Sequence, residues 1–166
     1  MPFDWVVTYN GISNIIKTDF LNYIPGDGEK LNSICDVWFL HNDFPSDTEK
    51  TLMRINRFKQ ILETSQEHII FLRKGHSPHH HKEHNCKYND IKNDLIDAED
   101  LDIVLQEKYP NLKYEIVVIL ICGRCFNKED NYTTNSKNIK IYNISMPAMD
   151  NNKFNSLCTD LFIAKK

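Results

Sequence analysis

Three stretches of this chain are apolar without interruption, and they constrain the fold more than any single motif. They lie within Asp36–His41, His68–Arg73 and Tyr114–Cys122. A strand with one wet face alternates polar and apolar residues. A run that does not alternate reads as buried on both faces, the state of strands in parallel sheets covered by helices. Between the runs, apolar residues recur at helical spacing. Ile12, Ile15, Ile16, Phe20 and Ile24 predict a helix from about Gly11 to Tyr23, ended by the turn Pro25-Gly26-Asp27-Gly28. Leu52, Ile55, Phe58, Ile61 and Leu62 predict the inward face of a second helix, capped by Ser46 or Asp47 and running to about Glu63. Asp90–Tyr109 reads as a third helix, stopped by Pro110-Asn111.

Tyr114–Cys122 is the most hydrophobic run and should be central. Ile139–Ile144 alternates and belongs nearer an edge, and Asn152–Ala164 closes the chain as a helix. The order strand, helix, strand, helix, strand is what right-handed crossovers turn into a parallel sheet. The expectation is one α/β domain over residues 1–166: a mostly parallel open sheet of about four strands with helices on both faces. The polar stretches at about 74–89 and 125–138 are expected to be mobile loops.

Composition narrows the functional classes. A chain of 166 residues fits one domain. A net charge of −3 argues against nucleic acid or a membrane surface as partner, since both favour concentrated positive charge. The apolar runs are too short to cross a bilayer, and the first residues carry neither a basic n-region nor a secretory apolar region. Cys35, Cys86, Cys122, Cys125 and Cys158 are odd in number and unevenly spaced, which suits reduced thiols in a cytoplasmic protein. Cys35 and Cys158 read as small buried hydrophobes.

In an open parallel sheet, ligands bind outside the carboxyl ends of the strands. Those ends carry His41-Asn42-Asp43, Arg73-Lys74-Gly75-His76 and Gly123-Arg124-Cys125. A histidine, a carboxylate, arginines and a thiol on one rim would suit acid–base or nucleophilic chemistry. The plainer alternative has His41 and Asp43 capping loops and the arginines pairing with surface acids. Arg54, Arg57, Arg73 and Arg124 could also cradle an anion, because guanidinium groups recognise carboxylate and phosphate bidentately.

The loop His76–Cys86 holds His79, His81, His84 and Cys86, and Cys122 and Cys125 supply a two-residue gap, so zinc is conceivable chemically. The contiguous histidines and the lack of a second clean pair favour a solvated insertion, and no metal or cofactor is expected. Cys122 and Cys125 end a strand rather than opening a helix, which weakens a redox reading. The acids Asp94, Asp97, Glu99, Asp100 and Asp102 read as a solvated helix face, and Trp38, Phe39 and Phe71 as core.

Pro2-Phe3-Asp4-Trp5, Asp19-Phe20, Phe39-Leu40-His41-Asn42-Asp43-Phe44, Arg54-Ile55-Asn56-Arg57-Phe58 and Ile70-Phe71-Leu72-Arg73 occur in this order. The series, over roughly residues 2–122, resembles a family of bacterial and large-DNA-virus proteins grouped as papain-like cysteine peptidases. The resemblance implies that Asp4, Trp5, His41, Asp43, Arg54, Arg57 and Arg73 occupy signature positions, with His41 as general base or acid. In that family the nucleophilic cysteine lies in a segment before the Pro-Phe-Asp-Trp motif. No such segment precedes Met1, so the expectation is a truncated or catalytically degenerate hydrolase. Cys35 would sit about 20 Å from His41 along one strand at ~3.3 Å per residue and so cannot replace that nucleophile; Cys125 could, if the third strand neighbours the first. The alternative expectation is a non-catalytic module that binds an anionic ligand or a protein partner. The ligand on either reading is an unidentified small molecule or peptide.

Overall fold

The strands divide between two sheets. The structure, a computed structural model, describes residues 6–8, 12–32, 37–39, 41–76, 94–122 and 133–145, with Ser156 and Thr159. Strands β1 (Val6–Thr8), β2 (Leu31–Asn32) and β3 (Val37–Phe39) form a small antiparallel sheet with β3 in the middle. Strands β4 (Ile69–His76), β5 (Tyr114–Cys122) and β6 (Ile139–Ser145) form a parallel sheet with β5 in the middle. The helices are α1 (Ser13–Lys17), α2 (Thr48–Thr64) and α3 (Asp94–Lys108).

The fold is therefore α/β, with a parallel sheet centred where the most hydrophobic run predicts. The single sheet of about four strands is not what forms. The run at 36–41 was expected to be buried on both faces and parallel to the others. Its described part, β3, alternates instead: Val37 and Phe39 are buried and Trp38 is 40% exposed. Trp38 lies opposite Leu31, which is also exposed, so this face of β2 and β3 is open to solvent, as antiparallel sheets permit. In β5, by contrast, Ile116, Val117, Val118 and Ile119 are all buried.

Helices were expected on both faces of the parallel sheet; the described ones pack on one. Ile69 and Phe71 of β4, Ile116 and Val118 of β5, and Ile139 and Ile141 of β6 join one core with Ile55, Phe58 and Leu62 of α2 and Leu101, Val104 and Leu105 of α3. Seven aromatic rings connect the two sheets in an unbroken series of edge-to-face contacts. It runs Phe44–Phe39–Tyr23–Phe20–Phe58–Phe71–Tyr114, with centroids 5.1 to 6.5 Å apart. Such pairs contribute ~0.5–1.5 kcal/mol each beyond their burial.

Helix α1 is far shorter than its periodicity predicts. Asp19, Phe20 and Asn22 have φ of 56°, 63° and 57°, so the chain leaves the right-handed region just after Lys17. For a bulky residue this conformation costs ~1–2 kcal/mol. Phe20 is buried there against Tyr23 and Phe58, which offsets the strain. A helix this short is not stable alone. Helix α3 holds both its ends: the Asp97 carboxylate accepts from the backbone N–H groups of Ile12 (3.3 Å) and Ser13 (3.4 Å). Lys108 Nζ donates to the carbonyls of Ile16 and Lys17 and to Asp19 at 2.7 Å. An acid at the N-terminus and a lysine at the C-terminus also match the helix dipole. The Lys108 hydrogen bond holds the Asp19 carboxyl below its ordinary value against some desolvation, with Lys59 assisting.

Asp97 and Asp102 are thus buried, not part of a solvated face, because their helix lies against α1 and the parallel sheet on that side. On α2, Leu52 is exposed and Thr51 takes the inward position expected for it. Strand β4 runs on through Lys74–His76, residues expected in a mobile loop. The rest of the histidine-rich stretch, and all but Ser156 and Thr159 of the expected C-terminal helix, lie outside the described residues.

Candidate functional site

The carboxyl edge of the parallel sheet was expected to gather the site. His41 and Asp43 do not belong to it, because β3 is in the other sheet. Both are exposed in the loop that follows β3. The Asp43 carboxylate accepts from Lys30 at 2.6 Å, an interaction that holds its pKa below the ordinary value. Lys30 also donates to the carbonyl of Asn42. Among the described residues Asp43 makes no bond to Arg54, Arg57 or Arg73, and its backbone N–H donates to Asp47 Oδ2 at 2.9 Å.

Arg54 and Arg57 lie on α2, half-buried and exposed respectively. Arg73 is not at a strand end: it lies inside β4 opposite Val118, half-buried on the face of Phe71. Asp4, Trp5, Arg124 and Cys125 lie outside the described residues, as do Cys35 and the side chains of the histidine-rich loop. Among the described residues no three histidines, cysteines or acids come together in a way that could hold a metal ion. No described helix is long and apolar enough to cross a membrane.

The opposite, amino-terminal edge of the same sheet carries a constellation that the sequence reading passed over. Register aligns Ile69 with Tyr114 and Ile116 with Ile139, so the starts of β4, β5 and β6 lie side by side. A cleft of about 450 Å³ opens there. His68, Lys113 and Lys137, each just before a strand or two residues from one, line it together with the C-terminal end of α3 and the Tyr109–Leu112 connection. Gln106, Asn138 and the phenols Tyr109 and Tyr114 are its other polar residues, and among the described residues no carboxylate lines it. A second, smaller hollow of about 180 Å³ lies on the far side of Tyr109, Pro110 and Leu112, against the end of α2.

A hydrogen-bonded network underlies the larger cleft. Tyr114 Oη donates to Asp102 Oδ1 at 2.5 Å, Asn138 Nδ2 donates to the same oxygen at 2.9 Å, and Gln106 Nε2 donates to Oδ2 at 2.8 Å. Asn138 Nδ2 also reaches the Tyr114 hydroxyl, at 3.2 Å. Burial pushes the Asp102 carboxyl up, but the bonds from Tyr114, Asn138, Ser136 and Gln106 outweigh it and leave the pKa below the ordinary value. Burial and the Asp102 carboxylate together push the Tyr114 phenol well above its own. One is therefore a carboxylate and the other a neutral phenol at any physiological pH.

Asn138 is positioned by its own loop. Ser136 N–H donates to Thr134 Oγ1 and Asn138 N–H to Ser136 Oγ, two successive hydroxyl turns that set up the start of β6. The sequence reading placed these residues in a mobile loop. The available signal was the Thr-Asn-Ser-Lys-Asn run immediately before an alternating strand, a pattern rich in side chains that bond their own backbone.

No family model matches the sequence, and no curated protein or solved structure matches it either.

Proposed function

We propose that this protein is a binding domain for a small anionic ligand, and that the ligand sits in the cleft at the amino-terminal edge of the parallel sheet. One observation carries the reading: three cationic or protonatable side chains, His68, Lys113 and Lys137, border one cleft that no described acid lines, in a chain whose net charge is −3. Lys30, Lys50, Lys59, Lys108 and Lys140 each face a carboxylate within 4 Å. Among the described residues Lys113 and Lys137 face none. A concave surface with one sign of charge focuses the field and raises the local concentration of the opposite ion. Its volume falls within the ~300–1,000 Å³ range of small-molecule sites.

Calorimetric titration of the full chain with inorganic phosphate tests this. Binding that weakens as salt is raised and disappears in the Lys113→Ala/Lys137→Ala variant is the expected result. Binding unaffected by that double substitution, or lost in Arg73→Ala instead, would overturn the placement of the ligand in this cleft.

The papain-like peptidase reading rests on the order of the motifs between residues 2 and 122. On it, Cys125 would act as nucleophile with His41 as base. A thiol-directed probe should then label Cys125, and His41→Ala should slow the labelling at neutral pH. Labelling indifferent to His41 removes the base from the mechanism.

A further inference from the structure

We infer that the ligand of this cleft is a phosphorylated sugar or polyol, an extension that rests on the anion-binding reading above. The inference comes from the polarity of the cleft floor. The Gln106 and Asn138 amide N–H groups are both turned onto Asp102. An amide whose nitrogen is fixed on one side presents its carbonyl oxygen on the other. Gln106 Oε1 and Asn138 Oδ1 accept no hydrogen bond from any described residue, and both residues line the cleft. The Tyr114 hydroxyl is already committed, donating to Asp102 and accepting from Asn138.

The floor therefore offers acceptors and the border offers positive charge. A bare anion would satisfy Lys113, Lys137 and His68 but leave the floor oxygens facing its own negative charge. A ligand with an anionic end and several neutral donors satisfies both. Hydroxyls fit better than an ammonium group, because the Asp102 charge is already bonded by Tyr114, Asn138 and Gln106 and the floor oxygens are uncharged amides. Phosphate on the lysine side with a hydroxylated carbon chain over Gln106 and Asn138 matches that division. Tyr109, Pro110 and Leu112 supply the more apolar wall against which a sugar ring can lie.

Titration of the full chain with inorganic phosphate, butyl phosphate and ribose 5-phosphate tests the assignment. Ribose 5-phosphate should bind about tenfold more tightly than either of the others, the equivalent of one or two good hydrogen bonds to neutral acceptors. Gln106→Leu should bring the ratio of ribose 5-phosphate to phosphate affinity close to one. The Lys113→Ala/Lys137→Ala variant should lose all three ligands. Equal affinities for the three, with the lysine dependence intact, overturn the sugar assignment and leave the anion site standing. Butyl phosphate binding as tightly as ribose 5-phosphate also overturns it, since the wall rather than the floor would then be selecting. Binding of all three that ignores both lysines overturns the two readings together.

Discussion

Helix α3 buries two carboxylates on its inner side, and they are satisfied in opposite ways. Asp97 accepts from backbone N–H groups of another helix, so its bonds fix where α1 begins. Asp102 accepts from side chains on α3, β5 and the turn before β6, so its bonds fix what the cleft presents. The first acid is framework and the second is site, although composition and helix position make them look alike. Burial does not separate them, since both are under 5% exposed. The identity of the donors does.

Replacing each acid should break the symmetry between them. Asp97→Ala strands two backbone donors where α1 meets α3, and a lost charged hydrogen-bond acceptor of this kind costs ~3 kcal/mol. Urea denaturation should show that loss as a lower midpoint with an unchanged slope, and phosphate affinity at the cleft should not move. Asp102→Ala should cost less, ~2 kcal/mol, because Gln106 is exposed and Tyr114 and Asn138 are half-buried, so water can reach the freed groups. It should also abolish any discrimination between ribose 5-phosphate and phosphate, since Gln106 and Asn138 are then free to turn. An Asp102 variant less stable than the Asp97 variant, with discrimination intact, would reverse the assignment of framework and site.

The Asp102–Tyr114 bond gives the same contrast a pH signature. Tyr114→Phe should lower stability by ~1.5 kcal/mol near neutrality. The phenol's pKa is raised in the folded protein, so its contribution is complete below the ordinary value of 10.0 and is lost as pH climbs through the folded value. Stability of the wild type and the Phe variant should accordingly converge on the alkaline side. Asp102 behaves conversely. Its folded pKa is depressed, so its contribution is complete above 3.8 and is lost as pH falls through the lower, folded value. The gap between wild type and Asp102→Ala should therefore narrow only under strongly acid conditions. Midpoints of urea unfolding across pH check both; a constant gap at either extreme would mean that the bond contributes nothing that titrates.

The elements that declared themselves in the sequence are those whose environment is uniform along their length. Strand β5 is buried on both faces over Ile116–Ile119 and lies in the middle of its sheet, where an unbroken apolar run places it. The end of α3 was equally plain, because Pro110 cannot continue a helix. Residues whose setting depends on a distant partner were misread. The run containing Val37–Phe39 looks like β5 in miniature, yet Trp38 faces outward because β1 and β2, rather than the parallel strands, flank it. Ile12 to Ile24 carries helical periodicity, but burial of Phe20 and Tyr23 imposes a left-handed turn that periodicity does not encode. The cleft was the least visible of all. Its residues are spread over His68, Gln106, Lys113 and Lys137, and only the aligned starts of three parallel strands bring them together.

The smallest effect belongs to the ion pair that occupies one of the expected catalytic acids. Lys30 and Asp43 meet at 2.6 Å, but both are substantially exposed, and solvent and salt screen such a pair heavily. Lys30→Ala should leave the urea midpoint within its measurement error. The informative readout is chemical: without Lys30 the Asp43 carboxyl, whose pKa the lysine depresses mainly through the hydrogen bond, should titrate closer to its ordinary value of 3.8. Carbon-detected NMR of the carboxyl resonance follows that shift directly. If Lys30→Ala leaves the Asp43 titration where it was, the lysine is not what engages this carboxylate in solution. Asp43 would then again be available to orient His41, which the peptidase reading requires.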